Sequence, residues 1–229
     1  MSPSKKALLL VGSPKGEEST SLSLGSYLLS KLEESGMTSE TLFTHRVVNR
    51  EEKVQSLFEA IDRADLIILT FPLYIDSLPA PVIKAMELIK EERDRLESKK
   101  PKDFIAISNN GFPEAFQNMT ALHICKIFAE DCGFTWKGGL PLGQGGSIGG
   151  RPLLEIGGMV RNVVKGLDLV AQALIDGKVI PQEAIDLFSK RFIPNSLYSI
   201  MVNLSWRRQA SKYGTKKIIR EKTYANSLN

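Results

Sequence analysis

Two cysteines, Cys125 and Cys132, are all that the 229 residues contain. So few thiols exclude a disulfide framework and a four-thiolate metal site. Histidine is equally scarce. His45 and His123 stand far apart with no ligand-type residue at helical spacing, so both read as surface or satisfied side chains and no metal is expected. Long apolar runs are missing as well. Ala7–Val11 and Leu66–Leu69 are far too short to span a bilayer. The first residues lead straight into one of these runs, which is too short for a signal-peptide core, and the expected location is cytoplasmic. The loop after that run lacks the Gly-Lys-Ser/Thr ending of a P-loop and is not a G-x-G-x-x-G turn, which argues against nucleoside triphosphate hydrolysis.

Charge is unevenly spread. Residues 1–150 hold 17 Lys+Arg against 20 Asp+Glu, whereas residues 151–229 hold 13 against 6, giving −3 and +7. Arg207–Lys222 alone carries seven basic residues and one acid, Glu221. Such a tail suits nucleic acid, anionic lipid, or simply a solvated or interface surface, and the last is the preferred reading. Trp206 beside Arg207 and Arg208 would suit a membrane surface. Pro194, Asn195 and Asn203 are expected to interrupt any long amphipathic helix there. Packing on a subunit partner is therefore favoured, with neither nucleic acid nor membrane as partner.

Strand-like and helix-like segments alternate from the start, the pattern of a parallel sheet wound with helices. Ala7–Val11 is a continuous apolar run, as in a strand buried on both faces. Leu24, Leu28 and Leu32 then mark a helix ending near Gly36. Glu40–His45 is a weaker strand, Val54–Ala64 a second helix, and Leu66–Phe71 the clearest strand. Pro79 and Pro81 open a helix carrying Val82, Met86 and Ile89. Phe104–Ile107 is a fourth strand, Leu122, Cys125, Ala129 and Cys132 a core-facing helical stripe, and Phe134–Leu140 a fifth strand. A last long helix carries Met159, Val163, Leu167, Val170 and Leu174. Five βα units in this length fit an α/β flavodoxin-like three-layer sandwich, with a parallel sheet in the order 2-1-3-4-5. The expected division is a domain over 1–180 and a helical, basic extension over 181–229.

Ligands of open α/β sheets bind beyond the carboxyl ends of the strands, where strand order reverses. The loops after strands one, three and four are each unusual. Gly12–Ser21 runs into a helix with Ser13, Ser19, Thr20 and Ser21 and with Lys15. Hydroxyls and N–H groups at a helix N-terminus favour a phosphate, and the competing reading is a plain helix cap. Phe71–Pro81 carries Pro72, Leu73, Tyr74 and Ile75, apolar and aromatic residues that suit a flat ring; the competing reading is a loop packed by its own prolines or by another subunit. Asn109, Asn110, Gly111 and Phe112 supply amide groups and a position tolerant of positive φ. Gly143–Gly150 fits a nicotinamide border, a subunit contact or a flexible connection.

With those loops together, residues 5–175 resemble the NAD(P)H-dependent FMN reductase branch of the flavodoxin-like superfamily. Gly12-Ser13-Pro14-Lys15 with Ser19-Thr20 looks like its phosphate loop, and Phe71-Pro72-Leu73-Tyr74 with Leu78-Pro79-Ala80 like its isoalloxazine loop. The resemblance implies FMN, with Ser13, Lys15, Ser19, Thr20 and Ser21 about the phosphate and Pro72–Ile75 and Asn109–Phe112 along the ring. Glu17 and Glu18 depart from the pattern and must point away from the anion.

The implied activity passes a hydride from NAD(P)H through bound FMN to a flavin, quinone or other small acceptor, in a homodimer. The cofactor carries that chemistry, so no catalytic acid or base is assigned. An electron carrier without hydride chemistry is the alternative, although flavodoxin shuttles are acidic to suit basic partners and the pI here is near 9.0. A phosphorylated receiver domain is disfavoured, because Phe71-Pro72 stands where its aspartate would be and Gly12-Ser13 where its paired acids would be.

Overall fold

The computed structural model describes residues 4–218. The strands are β1 (Lys6–Val11), β2 (Thr38–Phe43), β3 (Leu66–Pro72), β4 (Asp103–Asn109) and β5 (Thr135–Leu142). They form one sheet in the order 2-1-3-4-5, every neighbouring pair parallel. This is the flavodoxin-like arrangement that the alternation of segments implies. The helices are α1 (Thr20–Glu34), α2 (Thr44–Val47), α3 (Glu51–Arg63), α4 (Ala80–Arg95), α5 (Met119–Asp131), α6 (Leu153–Ile156), α7 (Arg161–Ile175), α8 (Gln182–Phe188) and α9 (Asn195–Lys212).

Side chains along a strand alternate between the two faces of the sheet, and β1 shows what that does to a continuous apolar run. Ala7, Leu9 and Val11 enter one core with Leu24, Leu28 and Leu32 of α1 and Val163, Leu167 and Val170 of α7. Leu8 and Leu10 enter the other with Leu57 of α3, Val82 and Met86 of α4, and Cys125 and Ala129 of α5. Each fully buried leucine contributes about 1.5–3 kcal/mol, so this doubly covered strand anchors both layers. Tyr27 of α1 donates its hydroxyl to Asp168 of α7 (2.7 Å), tying one helical layer together.

Two sequence boundaries move. β2 stops at Phe43, because Thr44 and His45 already begin a short helix. The chain from Pro181 also packs on the first core, through Ala184 and Phe188 of α8. The first compact unit accordingly runs to Phe192, beyond residue 180, and the second begins at Ile193.

The second unit differs from its sequence reading. Pro194 and Asn195 do not break a helix; they begin one, since Pro194 sits at the N-cap with φ −54° and its missing N–H costs nothing there. Asn203 lies inside the helix, whose propensity penalty at one position is only a few tenths of a kcal/mol. α9 therefore runs unbroken for 18 residues to Lys212, and Gly214 just beyond it, with φ +70°, closes a turn in which Thr215 donates to Ala210. The last part of the basic run, 219–222, lies outside the described residues.

Candidate functional site

The carboxyl ends of β1, β3 and β4 bring three loops side by side. Register places Val11 beside Thr70, Pro72 beside Asn109, and Asn109 beside Leu142. Pairing continues one residue past the strands: Gly12 donates to Thr70 (2.7 Å), Leu73 to Asn109 (2.8 Å) and Asn110 to Leu142 (2.9 Å). Gly12 is required by space. A β-carbon there would lie 2.4 Å from Val82 and 2.8 Å from Phe71.

In the first loop the hydroxyls divide their labour. Ser19 is the cap of α1: its Oγ accepts from the Leu22 N–H (3.2 Å) and donates to the Gly16 carbonyl (2.6 Å). Thr20 donates to the Gly145 carbonyl (2.9 Å). Ser21 Oγ accepts from Asn109 Nδ2 (2.9 Å). Ser13 is buried and its Oγ accepts from the Lys15 N–H (3.4 Å), while Lys15 itself is exposed. The first-turn N–H groups of Thr20 and Ser21 have no intrahelical acceptor by helix geometry, so the positive end of α1 opens onto this loop. Glu17 and Glu18 are both exposed. Glu17 is paired with Arg46 (2.7 Å), and that guanidinium holds its carboxyl below the usual range.

The second loop folds into a tight turn, with Tyr74 and Ser77 exchanging backbone hydrogen bonds of 2.9 and 3.0 Å. Its two central residues, Ile75 and Asp76, have φ of +49° and +56°. That is the backbone of a type I′ hairpin turn, and a β-branched residue adopts it only under strain of about 1–3 kcal/mol. Ile75 is nevertheless fully exposed, Tyr74 beside it is exposed, and buried Leu78 anchors the loop's far side.

In the third loop Asn109 Nδ2 donates to both Ser21 Oγ and the Phe71 carbonyl (3.0 Å), so one amide pins all three loops. Asn110 accepts the Phe112 N–H on Oδ1 (2.9 Å) and donates Nδ2 to Glu114 (3.1 Å). The Phe112 ring is exposed. Gly143–Gly150 is no flexible connection. Gln144 is buried with φ +56°, donates its N–H to Phe112 (2.7 Å) and accepts the Phe192 N–H on Oε1 (2.8 Å). Gly145 donates to the Asn110 carbonyl (2.7 Å). The stretch braces the third loop from behind.

The thirteen residues picked from sequence thus fall on one rim, at different depths. Lys15, Tyr74, Ile75, Gly111 and Phe112 are exposed, Thr20, Pro72 and Leu73 are half-buried, and Ser13, Ser19, Ser21, Asn109 and Asn110 are buried. The sequence reading gave Arg46 no part and took His45 for a surface or satisfied side chain, yet both follow β2 directly. A β-carbon on Gly16 would meet Arg46 Nη2 at 3.2 Å and His45 at 3.9 Å, so both border the first loop. The rule that ligands gather at strand carboxyl ends applies to β2 as well and was the signal for them. His45 is not a satisfied histidine, since its buried Nδ1 has no hydrogen-bond partner. His123 is exposed, and Cys125 and Cys132 are buried core thiols, with burial pushing Cys132 up to about 12. Among the described residues no cluster of His, Cys, Asp and Glu could hold a metal ion.

Over residues 5–126, from β1 into α5, the chain matches the NADPH-dependent FMN reductase family. It belongs to that family. Membership brings FMN as cofactor and NAD(P)H as co-substrate, and makes the protein an FMN-dependent oxidoreductase. The matched stretch holds all thirteen rim residues, whereas Gln144 and Gly145 lie beyond it.

Solved structures agree on the fold. The chain is similar to an FMN-dependent NADH-azoreductase from Bacillus anthracis, solved in complex with FMN, with a TM-score of 0.55 at 12% identity over 75% of this chain and 99% of that one. A second azoreductase, from Bacillus anthracis str. Sterne, gives 0.50 at 14% identity, over 76% and 99%. The rubredoxin oxygen:oxidoreductase of Desulfovibrio gigas gives 0.52 at 13% identity, over 76% of this chain and 36% of that one. No curated protein matches the chain in sequence.

Proposed function

We propose that the rim formed by the three loops holds FMN and that the protein passes a hydride from NAD(P)H through it to a small acceptor such as a flavin or quinone. The observation that carries this reading is one of chemistry on a shared edge. A helix N-terminus with hydroxyls and Lys15 shares the sheet's carboxyl edge with loops that expose Tyr74, Ile75 and Phe112. Phosphate suits the first and a flat, mostly apolar ring the second. Glu17 is no obstacle, because it is turned to Arg46.

The residues present fit FMN, and each has a task. Ser19 holds the helix end in place as its cap, leaving the N–H groups of Thr20 and Ser21 to meet the phosphate. Lys15 adds a counter-charge, with Arg46 within reach of the same loop. Pro72–Ile75 lie along one side of the ring and Asn109–Phe112 along another. The sequence reading gave the last loop the further role of donating backbone hydrogen bonds to the ring. Of its N–H groups, those of Asn110 and Phe112 are given to Leu142 and to the Asn110 side chain, and the loop adds the exposed ring of Phe112. The hydride chemistry is supplied by FMN when bound, and no acid or base of this chain is assigned to it.

A second copy completes the reading. An apolar groove of about 340 Å³ between α4 and α5, lined by Leu78, Ile83, Met86, Ile124, Ile127 and Phe128, supports a homodimer; its mass in solution would decide. The central test is a visible spectrum of the purified protein with FMN, followed by anaerobic NADH or NADPH. Bleaching of a stoichiometric flavin is expected. A flavin that stays oxidised would leave an electron carrier, and failure to take up FMN would overturn the site.

A further inference from the structure

Between Ile193 and Arg220 the sequence has six basic residues and no acidic one. Within this stretch α9 presents Leu197, Ile200, Met201 and Leu204, all between 47% and 57% exposed. Their spacing of three, four and seven residues puts them on one face of the helix. Arg207 and Arg208 follow Leu204 by three and four residues, so their guanidinium groups stand one turn further along that face. Lys212 closes the helix, and Lys216 and Lys217 follow in the turn after it.

We propose that this face of α9 is a docking surface for an anionic lipid bilayer, with its apolar side chains against the acyl region and the cations that follow them at the headgroups. Apolar side chains followed at once by arginines match a boundary where hydrocarbon gives way to phosphate within a few ångströms. Charge selects the occupant. Three cations in the helix and two just after it, with no acid among them, would repel a second copy of the same helix but are complementary to a surface of phosphatidylserine or similar lipids. Nucleic acid would satisfy the cations and leave the four apolar side chains wet. The contact is peripheral: among the described residues no helix is long and apolar enough to cross a membrane. The sequence reading set a membrane aside because a broken helix was expected, and the unbroken α9 removes that ground. The inference does not depend on the flavin site.

The test is co-sedimentation of the full chain with vesicles of phosphatidylcholine alone and of phosphatidylcholine mixed with phosphatidylserine. Binding is expected to the mixed vesicles and to weaken as salt is raised. Each basic residue near an anionic surface strengthens binding about fivefold, so Arg207→Ala with Arg208→Ala should weaken it about 25-fold. Leu204→Glu should weaken it at least tenfold. Circular dichroism checks that each variant folds, and the arginine pair, exposed and outside any core, keeps the test open if Leu204→Glu does not. No binding to mixed vesicles, equal binding to both kinds, or binding unmoved by either variant would overturn the proposal. So would a helix-dependent dimer, or capture of RNA or an acidic protein, without vesicle binding.

Discussion

The two ends of the sheet are built on opposite principles. At the amino end of β4, Lys102 is buried and gives its ammonium to the carbonyls of Asp62 (2.6 Å) and Ala64 (2.8 Å). Close by, buried Arg93 donates to the carbonyls of Cys132 (3.0 Å) and Lys100 (3.4 Å) and lies over the Phe134 ring. Burial lowers the pKa of both cations, and backbone carbonyls hold both in place. At the carboxyl end the helix N-terminus of α1 is open, two non-glycine residues of one turn hold positive φ, and apolar side chains stand in solvent. One end turns its buried cations onto carbonyls of the protein itself. The other leaves groups waiting for something outside it, and that contrast marks the working end without reference to any ligand.

Breaking the closed end should have the largest effect. Lys102→Met keeps the aliphatic stem and strips two buried carbonyls of their donor, which should cost about 3 kcal/mol in chemical denaturation while leaving the FMN affinity of the folded protein unchanged. A comparable loss of FMN affinity would blur the contrast. Gly12→Ala strikes the open end where it is most tightly packed. The added carbon should cost about 2 kcal/mol and, by displacing the first loop, weaken FMN binding at least tenfold in a fluorescence titration. Ile75→Gly should do the reverse to stability, gaining about 1 kcal/mol by releasing the positive-φ strain, yet weaken FMN binding severalfold. A variant that is both less stable and equally avid would show that the turn is structural only.

The last contrast is silent at neutral pH. Cys132, beside Arg93, is a thiol held neutral by burial, from its ordinary value near 9 up to about 12. The unfolded chain can ionise it and the folded one cannot. Its contribution to stability is therefore whole below pH 9 and lost progressively as the pH rises towards 12. Unfolding free energy should fall with pH across that window, and less steeply in Cys132→Ala; an identical slope would remove the cysteine from the account.

How much of this was legible in the sequence depended on the range of the interaction. Elements set by local periodicity, such as the Leu24–Leu32 stripe or Leu66–Phe71, came out within a residue or two, and the sheet order followed from the likeness to flavodoxin-like proteins, not from the alternation itself. Buried Lys102 and Arg93 were invisible, since nothing near them in sequence marks a cation whose acceptors lie tens of residues away. The rim residues were visible as types but their division of labour was not: that Ser19 caps while Ser21 braces Asn109 is settled by contacts 88 residues apart. Gly143–Gly150 stayed open between a border, a subunit contact and a flexible connection for the same reason, because its ordering comes from Thr20, Asn110 and Phe112. α9 failed in the other direction. Three residues of low helix propensity were given too much weight, though one pair sits at the helix start, where it does no harm.

The hydrogen bond between the Phe192 N–H and Gln144 Oε1 carries a consequence for anyone dividing the gene. It fastens the last residue of the first unit to the strut behind the third loop. A fusion or truncation placed at residue 180 would discard α8 with its buried Ala184 and Phe188 and take one fastening from the rim as well. A tag or partner joined from Ile193 onward would leave that fastening in place.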